Sequence, residues 1–149
     1  MMITIQTQLI GQPQTHTDAR GRWRSTIFTE ADVAVGDIFQ VGQAVVQVSA
    51  PRYTCTKQER KLKLTNFFNE VLRTQRTGFY LRVLMPGMVQ VGDKLTLVER
   101  PSAQFTIQLI NQNTLVTPDQ ALVQQMLALP TLAEGWKKIL EYKLDNAQA

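Results

Sequence analysis

Through most of the first 110 residues apolar and polar positions alternate in short runs, the period of two that sends successive side chains to opposite faces of a strand. Met2 to Leu9 alternates in this way and is closed by Gly11 and Pro13. Trp23 to Phe28 is a further short strand, and Ala34 to Phe39 and Ala44 to Val48 read as two strands joined by a turn around Val41-Gly42. Pro51 ends that pairing and opens a loop carrying Tyr53 and Cys55. Phe79 to Met85, stopped by the turn dipeptide Pro86-Gly87, then Lys94 to Val98 and Phe105 to Ile110 complete the predicted strands.

The period changes to helical in two places. Phe67, Phe68, Val71 and Leu72 recur at helix spacing within Thr65 to Arg76, with Thr65 or Asn66 as N-cap and Gly78 as the stop. After Thr117 the pattern is helical throughout. Thr117 with Gln120, and Pro118 at the first helical position, form one capping-box start, and Thr131 with Glu134 forms a second, separated from it by Pro130. Leu132, Trp136, Ile139, Leu140 and Leu144 then make one apolar stripe. The pattern predicts a mainly β domain with α over residues 1–112 and a C-terminal helical hairpin over 113–149. Val35-Gly36-Asp37 and Val91-Gly92-Asp93 echo each other, each Gly-Asp supplying a turn before an apolar strand.

Bulk properties narrow the class. The 149 residues match about one domain, 44% hydrophobic and 19% charged, so wholesale disorder is not expected. A single cysteine excludes an intramolecular disulfide and fits a reducing compartment. The longest apolar runs fall short of the ~20 residues that span a bilayer, and Met1 to Ile10 lacks the layout of a signal peptide. The expectation is a soluble, cytoplasmic protein with no membrane partner. Arg52, Lys57, Arg60, Lys61, Lys63, Arg73, Arg76 and Arg82 face only Glu59 and Glu70 within residues 52–82, a local excess of six in a chain of net charge +4. Such a concentration suits an anionic partner, or else a solvated helix face. Nucleic acid is not expected, because no aromatic-rich basic stripe accompanies the charge.

Chemistry has few places to reside. The one histidine, His16, lies in a polar, turn-rich stretch, which excludes a Ser-His-Asp triad and a His-rich metal site. Glycine-rich phosphate loops of Walker or dinucleotide spacing are absent. Cys55 remains, in Pro51-Arg52-Tyr53-Thr54-Cys55-Thr56-Lys57. Adjacent cations favour its thiolate, the form that acts as nucleophile or soft metal ligand. Its other reading is a small buried hydrophobe. Arg82 and Tyr80 share one face of Phe79 to Met85. Arg82 either snorkels from a rim or binds an anion, and Tyr80 is either a core phenol or a pocket donor.

Several segments, in order, carry a family likeness: Thr29-Glu30-Ala31-Asp32-Val33 leading into Val35-Gly36-Asp37, then Val46-Gln47-Val48-Ser49-Ala50-Pro51-Arg52 with Cys55 and Lys57, then Arg76-Thr77-Gly78-Phe79-Tyr80-Leu81-Arg82-Val83-Leu84, Pro86-Gly87 and Val91-Gly92-Asp93. This run, about half of the chain, resembles the C-terminal half of a MOSC domain, the molybdenum-cofactor sulfurase C-terminal domain. Ala121 to Leu144 is similar to the small three-helix extension of one bacterial subgroup of that family, and Leu9 to Phe28 to its N-terminal segment. The resemblance implies a MOSC-like β-barrel around a molybdopterin pocket, with Cys55 as molybdenum ligand or sulfur carrier and Arg52, Lys57, Arg76, Tyr80 and Arg82 as cofactor-binding residues. It further implies reduction of N-hydroxylated compounds and a redox partner protein. Family members carry, between the segments matching Phe28 and Thr29, a long stretch with a His-Gly motif, more strands and a Gly-Glu-Asn motif. Here Phe28 runs straight into Thr29, and His16 inherits no role. The expected fold is therefore a partial or rearranged barrel, with cofactor binding weak or absent and activity low. The alternative is a non-catalytic binding or oligomerisation module. Open edges, at Trp23 to Phe28 and Ala34 to Phe39, lead us to expect a homo-oligomer.

Overall fold

A computed structural model describes residues 2–5, 16–17, 23–24, 28–53, 60, 63, 65–90 and 92–147. Among the described residues seven strands run in chain order as β1 (Met2–Ile5), β2 (His16–Thr17), β3 (Trp23–Arg24), β4 (Ile38–Val41), β5 (Ala44–Pro51), β6 (Phe79–Met85) and β7 (Leu95–Glu99). They form one sheet in the order β2-β3-β1-β6-β5-β4-β7, antiparallel except where β1 runs parallel to β3. The helices described in full are α1 (Phe67–Thr74), α2 (Ile107–Asn111) running into one π-helical turn (Gln112–Val116), α3 (Gln120–Leu127) and α4 (Glu134–Ala147). The fold is mixed α/β, a β sheet with a C-terminal helical hairpin, and no described helix is long and apolar enough to cross a membrane.

Alternation places Val46 and Val48 of β5 and Phe79 and Leu81 of β6 on one face, all buried. Ile107 and Ile110 from α2, Val123 and Met126 from α3, and Leu132, Trp136, Leu140 and Leu144 cover that face. Residues on both sides of residue 112 thus share one hydrophobic cluster. The stripe predicted for the last helix is the buried one, with Ile139 at its half-buried margin. Burying each such side chain contributes about 1.5–3 kcal/mol, so the helices hold the sheet as much as the sheet holds them.

Several sequence expectations need correction. The strand predicted for Phe105 to Ile110 is instead a short extended contact followed by a helix. Ala34 and Thr106 form an isolated bridge, and the Thr106 hydroxyl then caps α2, accepting from Leu109 N at 3.1 Å. The predicted strand over Ala34 to Phe39 is broken at Gly36, whose φ of 94° is left-handed, and begins only at Ile38. Asp119 caps α3 in place of Thr117, its carboxylate accepting from Leu122 N at 3.0 Å, so Pro118 lies outside the helix. Thr131 caps nothing; its hydroxyl is buried without a hydrogen-bond partner. Asn66 precedes α1 with φ 64° and no side-chain cap, and the left-handed residue that ends this helix is Gln75 (φ 59°), before Gly78 is reached. The edges also move: β3 lies between β2 and β1, and β4 lies between β5 and β7, so the described sheet ends at β2 and β7.

Candidate functional site

The site builds outward from one irregularity in β5. Val46 and Val48 stand opposite Val83 and Leu81, after which the register shifts so that Ala50 faces Tyr80 and Pro51 faces Phe79. Ser49 is the extra residue, and its hydroxyl donates to the Tyr80 carbonyl at 3.2 Å. A bulge reverses the faces taken by the residues that follow it. Alternation therefore puts Arg52 on the side of Tyr80 and Arg82, away from the core side of Phe79 and Leu81. The Arg52 N–H continues the ladder by donating to the Gly78 carbonyl at 2.9 Å, and Arg52 is half-buried.

Gly78 ends a four-residue strap, 75–78, that joins α1 to β6 and carries Arg76. Gln75 and Gly78 are both left-handed, with φ 59° and 77°. Side-chain hydrogen bonds also order the strap. The Asn111 amide donates to the Gln75 carbonyl at 3.0 Å and to the Thr77 hydroxyl at 2.9 Å. That hydroxyl donates to the Gly78 carbonyl at 2.8 Å, and Gly78 N–H donates to the buried Glu30 carboxylate at 2.8 Å. Arg76 is half-buried and lines a cavity of about 260 Å³ together with Thr29, Glu30, Ala31, Thr74 and Gln108. At its rim the hydroxyl and N–H of Thr29 donate to Asp32 at 2.6 and 3.0 Å, and these bonds hold the Asp32 carboxyl below the usual carboxylate range.

The Arg52–Gly78 bond thus brings Arg52, Arg76 and Tyr80 to one end of the β5–β6 pair. Tyr80 is half-buried. Arg82 is exposed and lies four residues beyond Gly78, about 13 Å along the strand, where it donates to the Gln47 amide oxygen at 3.4 Å. Cys55 and Lys57 lie outside the described residues. Sequence reasoning missed Asn111 altogether and took Glu30 only as part of a motif. Either acid of Thr29-Glu30-Ala31-Asp32 carries a weak signal; an asparagine at the end of an apolar run reads simply as a turn residue.

A family model for the MOSC domain matches residues 9–96, more than half of the chain. The chain belongs to the MOSC domain family. Among relatives of this MOSC chain, YflK of Bacillus subtilis is 35% identical over 119 residues, covering 79% of this chain and 54% of its own length. YiiM of Escherichia coli is 30% identical over 114 residues, covering 76% and 50%. A protein of Gibberella moniliformis named as a reductase is 33% identical over 84 residues, 56% of this chain but 15% of that one. The chain spans about half the length of the two bacterial relatives. The crystal structure of YiiM from Geobacillus stearothermophilus superposes with a TM-score of 0.81 at 31% identity, over 95% of this chain and 77% of that one.

The MOSC family is associated with binding of the molybdenum cofactor. The donor set described above suits such a group. Guanidinium forks match phosphate oxygens two at a time, and Arg52 shares one face of the β5–β6 pair with the half-buried Tyr80, while Arg76 lines the cavity that holds Glu30. Arg52 and Tyr80 are the described residues whose donors would suit the phosphate end of a molybdopterin.

Proposed function

We propose that this MOSC chain binds a molybdenum cofactor of the molybdopterin type and serves the reduction of N-hydroxylated compounds or a related sulfur transfer. The observation that carries the reading is the bulge at Ser49, which turns Arg52 out of the core face and toward the end of the sheet that holds Arg76 and Tyr80. Arg52 and Arg76 would neutralise and orient the cofactor phosphate, with Lys57 and Arg82 as further cations, while the Tyr80 phenol offers one hydrogen bond from the sheet face. Cys55, three residues beyond Arg52, would supply the thiolate that ligates molybdenum or carries sulfur. When bound, the cofactor supplies two-electron redox chemistry.

Reduction of an N–OH group breaks the N–O bond, takes up two electrons and two protons, and releases water. One cysteine cannot hold an iron–sulfur cluster, so the electrons would come from a redox centre outside these residues. Binding is weaker than in a full-length domain, because the stretch absent between Phe28 and Thr29 would have closed part of the pocket. Positioning errors of about 1 Å already cost roughly a hundredfold in rate. A second reading is a non-catalytic module, which is favoured by the span of only about half of the bacterial relatives.

Production in a cofactor-competent host, followed by molybdenum analysis, decides between the two. The expected result is substoichiometric molybdenum that is lost in the Arg52→Ala/Arg76→Ala double variant, with slow turnover of an N-hydroxylated amidine under a chemical reductant. Cys55→Ser should abolish that turnover. A wild-type chain free of molybdenum overturns the cofactor reading in favour of the second.

A further inference from the structure

The start of α4 is fastened to the bulged end of β5 at two points. Ala133 opens the helix, its carbonyl accepting from Trp136 N and Lys137 N at 2.9 and 3.2 Å, while its own N–H reaches across to the Ser49 carbonyl at 2.9 Å. Ser49, the extra residue of the bulge, is thus held from two sides, by the Tyr80 carbonyl of β6 and by the helical extension. Four residues on, the Tyr53 ring meets the Trp136 ring edge to face, with centroids 6.2 Å apart and planes at 64°. Trp136 is 4% exposed and belongs to the hydrophobic cluster, whereas Tyr53 is 50% exposed. The core fixes Trp136, and Trp136 fixes Tyr53.

These anchors set the faces of the chain between them. Pro51 stands opposite Phe79 and Tyr53 leans on Trp136, so both lie on the core side. Arg52 lies between them with its N–H bound to the Gly78 carbonyl, and alternation gives it the face of Tyr80. The strand itself ends at Pro51, so past Arg52 the direction of the chain is kept by the ring contact. We infer that Tyr53 and Trp136 are a positioning pair for the cofactor-binding end of the sheet: the first turn of α4 holds the chain before and after Arg52, so that Arg52 stays beside Tyr80. This rests on the cofactor reading given above. The C-terminal helices then do more than cover the sheet.

Amide hydrogen exchange of the cofactor-free chain reads the anchoring alone, and molybdenum retained through dialysis reads its effect in the loaded chain. Tyr53→Ala should speed exchange at Arg52 N–H about fivefold, the size of local opening that an aromatic pair opposes, and speed molybdenum loss by a similar factor. Val48 N–H, bonded to the Asp37 carbonyl in the same strand, should exchange as before, which a general loss of stability would not allow. Tyr53→Phe keeps the ring and should restore wild-type values. Tyr142→Ala removes an exposed tyrosine later in the same helix and should change neither readout. In an Arg52→Ala background, Tyr53→Ala should add no further loss of molybdenum. Unchanged exchange at Arg52, or a molybdenum loss undiminished without Arg52, overturns the inference while leaving the cofactor reading intact. A wild-type chain that holds no molybdenum overturns both.

Discussion

Asp37 shows how much of this molecule depends on single polar contacts. Its carboxylate is fully buried, and Arg100 meets it with two parallel bonds, at 3.0 and 2.7 Å, while also donating to the Asp32 carbonyl at 2.7 Å. The pairing raises the Arg100 pKa further above its already high ordinary value. Arg100→Met should destabilise the fold by about 3 kcal/mol, because an unpaired charge would remain buried. The figure is at the low end for such a loss because the guanidinium is partly open to water. Urea unfolding measures it, and adding Asp37→Asn should restore a large part. An undisturbed midpoint in Arg100→Met would show that water compensates the carboxylate. None of this was legible in the sequence. Asp37 reads there as the second half of a Gly-Asp turn, and a partner 63 residues away leaves no local pattern. The same distance hides Asn111 and Glu30 from any reading by period or spacing, whereas Arg52, Arg76 and Tyr80 stood out through charge density and family likeness.

At the level of elements, the two Gly-Asp echoes are one device used twice. Asp37 accepts from Ala34 N at 2.9 Å and Asp93 from Gln90 N at 2.8 Å, and Gly36 and Gly92 adopt φ of 94° and 96°. Thr29 and Asp32 repeat the hydrogen bond three residues apart without the glycine. The surroundings of the two glycines differ. A Cβ on Gly36 would lie 3.0 Å from Pro101 and 3.1 Å from the Thr131 hydroxyl, while one on Gly92 would meet nothing within 4 Å. Gly92→Ala should therefore cost only the left-handed backbone, about 1–2 kcal/mol, and Gly36→Ala measurably more. Thermal unfolding of the two variants checks the ordering, and equal losses would mean that Pro101 and Thr131 move aside freely. Elements with a long, consistent period were legible: β5, β6 and the stripe of α4 follow the apolar pattern. The failure at Phe105 to Ile110 has a local cause. Phe105, Ile107 and Leu109 alternate with polar residues as a strand would, but the Thr106 cap and the buried spacing of Ile107, Ile110 and Asn111 belong to a helix. Five residues are too few for periodicity to separate the two.

Across the whole molecule, the sheet leaves β7 at one end with Leu97 and Val98 exposed at 37% and 60%. Unpaired backbone groups beside exposed apolar side chains make a template for another chain, and we expect a homodimer that pairs there. Light scattering over a dilution series should show the dimer mass, and Val98→Lys should shift it to monomer. A wild-type monomer at every concentration would mean that the strand stays solvated. The opposite end of the architecture has a temporal consequence. Strand β1 pairs with β6, joining Met2 to Arg82, and the face that Val46, Val48, Phe79 and Leu81 turn inward is closed by residues as late as Leu144. Contacts this distant along the chain slow folding. Translation adds about 5–20 residues per second, so on the ribosome the sheet would wait several seconds for its cover to emerge. During that interval the inner face of β5 and β6 is a hydrophobic surface exposed to chaperones, and α4 is the helix that ends their claim on it.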